Sequence, residues 1–109
     1  MLDSQAYRQV FAENQSFNRS GFILLARRNA GQRSRLGLAI SKKQIKRAVD
    51  RNKLKRLVRE TFRLYCCCEQ SVDIVVLVKT RVLKLENKEI LTILEGQWRK
   101  VNLHFNGSA

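Results

Sequence analysis

The sequence predicts an α+β fold, a single-domain sandwich of helices on one sheet that spans residues 1–109. Three observations carry this. The hydrophobic period changes along the chain in the order helix, two or more strands, helix, strand, helix, which suits a layered α+β domain. The run Val72 to Val78 is β-branched and nearly all apolar, the signature of a strand covered on both faces. And the 109 residues contain no proline, no repeat and no low-complexity linker, at a length that supports one core.

Each element has its own signal. Ser4 is placed to cap a first helix in which Tyr7, Val10 and Phe11 recur at helical spacing, and Asn14-Gln15-Ser16 ends it. Gly21 to Ala26 reads as a strand, Asn29-Ala30-Gly31-Gln32 as a turn and Arg35 to Ile40 as the partner strand of a hairpin. Val72 to Val78 follows as a central strand. The last helix runs from about Asn87 to about Asn102, with Ile90, Leu94, Trp98 and Val101 at three-to-four spacing.

The charge balance narrows the function. With 22 Lys and Arg against 9 Asp and Glu, the formal net charge is +13, which favours a polyanionic partner. Nucleic acid comes first and a membrane surface second. An apolar fraction of 44% with regular periodicity excludes a disordered basic tail. No apolar run reaches the roughly 18 residues of a membrane span, and Met1 to Gln5 lacks the pattern of a secretory signal, so a cytoplasmic location is expected. The cysteines are the consecutive Cys66-Cys67-Cys68 and the one histidine, His104, is distant, so no spacing matches a structural zinc site. Reduced thiols at a helix end, partly in the core, are the simplest reading.

The most informative segment is Lys42 to Arg63, with ten Lys or Arg against the two acids Asp50 and Glu60. At about 100° per residue, Asn52, Lys55, Arg56, Arg59 and Arg63 share one sector of a helix, while Leu54, Leu57, Val58, Thr61, Phe62 and Tyr65 share the opposite one. Ile45 falls on the wrong side of this wheel. Ser41 to Ile45 therefore reads as a loop, with the helix starting near Lys46 to Ala48. Like charges three and four residues apart destabilise an isolated helix by a few tenths of a kcal/mol per pair. Such a ridge is a cost until phosphates neutralise it and release their counterions. Asn52 offers a donor and an acceptor without charge, suited to a base edge, a ribose or folded RNA backbone.

The strings Gly37-Leu38-Ala39-Ile40-Ser41-Lys42-Lys43 and Ala48-Val49-Asp50-Arg51-Asn52-Lys53-Leu54-Lys55-Arg56-Leu57-Val58-Arg59 resemble the signature of the bacterial ribonuclease P protein. The resemblance extends through the chain: the aromatic first helix, the Phe22 to Ala26 strand, the Asp73 to Lys79 strand and the Leu94 to Trp98-Arg99-Lys100 ending. The chain begins close to its first helix, without the basic residues that often precede it in the family. The resemblance implies a central four-stranded mixed sheet with three helices, an arrangement shared with a ribosomal-protein domain, and a left-handed βαβ crossover against the usual handedness. It implies that ribonuclease P RNA is met by Arg51, Asn52, Lys53 and Arg56, with Lys42 and Lys43 nearby. Lys53 stands where the family has a second Arg, keeping charge but losing the planar fork. It also implies a cleft for the single-stranded 5′ leader of precursor tRNA, carried over to Tyr7, Phe11, Ile23 and Leu25 with Lys55 and Arg59 along its edge. Aromatic stacking on unpaired bases suits that role. Helical spacing alone is equally met by Tyr7 and Phe11 as core residues.

A stand-alone nuclease would need paired carboxylates for magnesium, or a histidine beside a cation. Asp50 and Glu60 are not an evident pair and read as ordinary salt-bridge partners, and His104 reads as a solvated side chain. The resemblance agrees: the RNA supplies the catalytic site and binds Mg2+, and the protein is a monomer in the holoenzyme with no cofactor of its own. The competing expectation is a structural RNA-binding protein of the ribosomal type, which would not affect tRNA processing.

Overall fold

The computed structural model of the protein describes residues 2–29, 31, 33–66 and 71–106. Three helices, α1 (Ser4–Ala12), α2 (Ala48–Tyr65) and α3 (Asn87–Asn106), pack on a mixed sheet of four strands. The strands are β1 (Gln15–Arg19), β2 (Phe22–Arg28), β3 (Arg35–Ala39) and β4 (Val72–Val78), in the spatial order β1-β2-β4-β3. The α+β sandwich is as expected from the hydrophobic periods.

The pairing differs from the expected hairpin. β2 does not pair with β3; it lies between β1 and β4, antiparallel to both, while β3 runs parallel to β4. The hairpin is β1–β2, closed by Ser20 and Gly21 at φ 51° and 97°, the left-handed geometry of a two-residue primed turn. Gly21 is also required sterically, since a Cβ there would stand 2.8 Å from Val82 Cγ1 and 2.9 Å from Arg81 Cγ. β1 has no alternating apolar signal because four of its five residues are exposed and only Phe17 packs on the core. Ala30 and Gln32 of the expected turn lie outside the described residues; Asn29 Oδ1 accepts the Gly31 N–H at 2.7 Å, as in an Asx turn.

Period-two alternation divides the core. Phe22, Leu24 and Ala26 of β2, with Val72, Ile74, Val76 and Val78 of β4, face α2 and α3, where Leu54, Leu57, Val58, Leu94, Trp98 and Val101 complete the main core. The opposite face carries the smaller cluster of Val75 with Leu2, Ala6 and Val10 of the α1 segment. Trp98 donates its indole N–H to Thr61 Oγ1 at 2.8 Å, and Gln97 Nε2 donates to the carbonyls of Phe17 and Phe22, pinning the hairpin to α3.

Helix ends follow local chemistry, with some departures. α1 is capped by Asp3, whose Oδ1 accepts from Ala6 N at 2.8 Å, so Ser4 lies inside the first turn. α2 begins at Ala48, and Ile45 is fully buried from the preceding loop. Tyr65 is an exposed residue and not part of the core face of α2. A short 3-10 turn, Thr80–Lys84, absent from the sequence reading, precedes α3 and buries Val82. α3 continues a turn beyond the expected end because Phe105 is buried. Cys66 is half-buried at the end of α2 and packs on the main core; Cys67 and Cys68 lie outside the described residues.

Candidate nucleic-acid interface

The basic segment is held to the sheet by a stapled loop. Gln44 ties the chain after β3 to the chain after β4: Thr80 N donates to Gln44 Oε1 at 3.1 Å and Thr80 Oγ1 to the Gln44 carbonyl at 3.0 Å. Arg51 folds back from the first turn of α2 and gives Nη1 to the carbonyls of Ile45 and Lys46 at 2.9 and 2.8 Å. These bonds satisfy loop carbonyls beside the helix and place Lys42, Lys43 and the start of α2 at the C-terminal end of the parallel pair β3–β4.

The cationic ridge runs along α2 from there. Asn52, Arg56, Arg59 and Arg63 are exposed on one side of the helix, while Leu54, Leu57, Val58 and Thr61 are buried on the other. Asp50 and Glu60 form no close ion pair with it, although Glu60 lines a groove with Arg56, Arg59 and Arg63: among the described residues the ion pairs are Arg35–Asp73 and Arg99–Glu95. The ordinary salt bridging expected of these two acids is therefore not observed. Lys53 is half-buried on the flank facing the 3-10 turn, beside Asp50 and Leu83, and so stands apart from the line of Asn52 and Arg56. Arg51 has a guanidinium nitrogen committed to the loop, which makes it a holder of the site as much as a contact.

The second surface is on the α1 face of the sheet. α1 covers the row Leu25, Val75 and Gly37, which strand register places side by side. The next row, Asn18, Ile23, Leu77 and Ala39, lies toward the C-terminal end of β3 and β4 and contains no fully buried residue. Tyr7 is half-buried, with its hydroxyl 3.5 Å from the Leu38 carbonyl, and Phe11, one turn on, is 49% exposed. A solvent-facing aromatic ring can stack an unpaired base, and a half-open apolar row can desolvate one. The structure thus brings Tyr7, Ile23 and Leu25 to one face and places Phe11 on the same helix. Leu77, Ala39 and Asn18 join this floor, though the sequence reading omitted them; period-two alternation in register with Ile23 was their only signal.

Lys55 and Arg59 do not border this surface. They stand on α2, in the layer across the sheet from α1, and Arg59 lines a groove with Leu36, Leu38 and Phe62. The reason is the edge position of β3: α2 packs on the side shown by Leu36 and Leu38, whereas Tyr7 meets Gly37 on the reverse.

Acidic chemistry is sparse. Asp73 is buried at 4% exposure and accepts two bonds from Arg35, at 2.9 and 2.8 Å, and one from Asn29 at 2.7 Å. The hydrogen bonds and charge of Asp73 hold the Arg35 guanidinium above its ordinary range. Asp73 is thus a structural anchor for the β2, β3 and β4 ends. Among the described residues no three His, Cys, Asp or Glu side chains converge to hold a metal. His104 is exposed, as expected, and stands edge-on to Phe17 and Phe105. No described helix is long and apolar enough to cross a membrane.

Comparison with known proteins gives concordant matches. A family model described as Ribonuclease P matches residues 1–102. A protein of Thioalkalivibrio sulfidiphilus (strain HL-EbGR7) described as "Ribonuclease P protein component" is 45% identical over 98 residues, covering 90% of this chain and 82% of that protein. The structure of the Staphylococcus aureus RNase P protein shares the fold with a TM-score of 0.82, over 97% of this chain and 96% of its own, at 24% identity. The RNase P protein from Thermotoga maritima matches with a TM-score of 0.72 at 30% identity, over 88% of each chain.

Proposed function

The chain belongs to the ribonuclease P protein family, and from that premise we propose that it binds the catalytic RNA through α2 and the 5′ leader of precursor tRNA through the α1 face. The observation that carries this reading is the arginine ridge of α2, whose cations outnumber its acids, with uncharged Asn52 exposed among them. Lys42, Lys43, Lys53 and Arg56 add phosphate contacts, and Arg51 both holds the loop and presents charge. Tyr7, Phe11, Ile23 and Leu25, with Leu77 and Ala39, form the leader surface, where stacking supplies affinity without base specificity.

In this reading the protein is a monomeric, cytoplasmic subunit and the RNA performs the hydrolysis. Asp73, the one buried carboxylate among the described residues, already serves Arg35 and Asn29 and is not open to Mg2+. Mg2+ is then held by the RNA. The protein neutralises crowded phosphates and so lowers the Mg2+ needed for cleavage of the leader.

The test is precursor-tRNA cleavage by a bacterial ribonuclease P RNA at low Mg2+, with and without the protein, beside a protein-only control. Cleavage only when both are present supports the subunit role. Cleavage by the protein alone, or no effect of folded protein on active RNA, refutes it. Asn52→Ala should weaken assembly with the RNA, whereas Phe11→Ala should reduce the preference for leader-bearing substrate; equal loss of assembly in both would refute two separate surfaces.

A further inference from the structure

Neither surface uses the groove between β3 and the C-terminal half of α2. It has a volume of about 450 Å3, with Leu36, Leu38 and Phe62 as its apolar lining and Arg33 and Arg59 at its rim. Because β3 is an edge strand, Leu36 and Leu38 face the α2 side yet stay only half-buried. Phe62 meets Trp98 edge-on, at 5.4 Å between ring centroids, and is likewise only half-buried. Arg33 and Arg59 are exposed and form no ion pair among the described residues, whereas Arg35 is bound to Asp73. No acidic residue lines the groove.

Duplex phosphates alone would need no apolar lining, and an apolar peptide would gain nothing from two unpaired arginines. An unpaired nucleotide matches both features: its base desolvates against the apolar lining while its phosphate meets the guanidinium groups. Arg59 also continues the ridge begun by Asn52 and Arg56, so RNA following that helix reaches the groove. We propose that the groove between β3 and α2 holds an unpaired nucleotide of the catalytic RNA, its base against Leu36, Leu38 and Phe62 and its phosphate between Arg33 and Arg59. This inference rests on the reading of α2 as the helix that faces the catalytic RNA. The leader is not the source, because its surface lies across the sheet, toward the Ala39 end of β3 and away from Arg33.

The experiment uses the full chain and a bacterial ribonuclease P RNA. Binding is titrated over a salt series for the wild type, Arg33→Ala, Arg59→Ala, Phe62→Leu and, as control, Arg56→Ala. A photoreactive benzoylphenylalanine at Ser34, which also lines the groove, maps the neighbour by cross-linking in the complex with precursor tRNA. Together the two groove arginines should account for about 0.7–0.9 of the slope of log affinity against log salt, the share of one phosphate, so each single variant should lower it by a measurable part of that. Phe62→Leu should weaken binding roughly five-fold or more at an unchanged slope. The cross-link should fall on an unpaired nucleotide of the catalytic RNA. Should Phe62→Leu fail to fold by circular dichroism, the slopes and the cross-link decide. A cross-link to the leader overturns the proposal. A reduced slope for Arg56→Ala with unchanged slopes for Arg33→Ala and Arg59→Ala overturns it while leaving the reading of α2 intact. No effect of any of the three arginine variants overturns both.

Discussion

Gly37→Ala tests whether the fit of α1 against the sheet sets leader recognition. A Cβ at Gly37 would stand 2.6 Å from Tyr7 Oη, 2.7 Å from Tyr7 Cζ and 2.8 Å from Leu2 Cδ1. Ordinary contact needs about 3.5 Å, so the Tyr7 ring must retreat by roughly 0.8 Å, and a ring cannot bend as an alkyl chain can. Overpacking of this kind costs about 1–3 kcal/mol. Against it, Gly37 is not in a left-handed conformation, so alanine restricts the unfolded chain and returns about 0.4–1 kcal/mol. The net loss is about 0–2.5 kcal/mol, tolerable for a folded domain, with the displacement confined to the α1 face. Preference for leader-bearing over leaderless substrate should fall roughly five-fold or more, as expected for losing one stacked base. Affinity for the catalytic RNA should be unchanged. The assay is paired binding of the two tRNA forms to the holoenzyme, with thermal melting as the fold control. Gly37→Ala combined with Tyr7→Leu should recover the melting temperature but not the leader preference. A Gly37→Ala holoenzyme that keeps full leader preference, with Tyr7 shown by NMR to have moved, would refute the placement of the leader beside Tyr7.

Arg51→Lys should weaken binding to the catalytic RNA despite conserving charge, because the lysine side chain is one atom shorter than the one whose Nη1 reaches the carbonyls of Ile45 and Lys46, and it has no second nitrogen left to present; an affinity equal to the wild type's in filter binding would show that the loop staple is dispensable. Asp73→Ala leaves Arg35 and Asn29 without their shared acceptor and should cost about 2–3 kcal/mol, read as a fall in denaturant midpoint; a midpoint unchanged from the wild type contradicts its role as anchor. Thr61→Val removes the acceptor of the buried Trp98 N–H at nearly constant volume and should cost about 1–3 kcal/mol with little effect on RNA affinity measured at low temperature.

What was legible in the sequence is what local periodicity encodes. The two faces of α2, the burial of Ile90, Leu94, Trp98 and Val101, and the covered strand β4 all follow from spacing, because a helix or strand repeats its environment at a fixed interval. The family signature lay in the same stretch, since its charged, exposed residues recur at helical spacing along one helix. Strand partners were a different matter. β1 is polar and exposed apart from Phe17, so it carried no alternating signal, and the apparent hairpin from β2 to β3 was an inference from proximity in sequence. β4, about 40 residues later, takes both as neighbours because its two apolar faces are covered only in the middle of the sheet. That pairing also decided the site. Leu77 and Ala39 meet Ile23 only through register, Arg51 turns inward only because the loop carbonyls stand behind it, and Arg59 is parted from the α1 face by an edge strand. Such relations depend on contacts between residues far apart in the chain, which tertiary packing alone brings together.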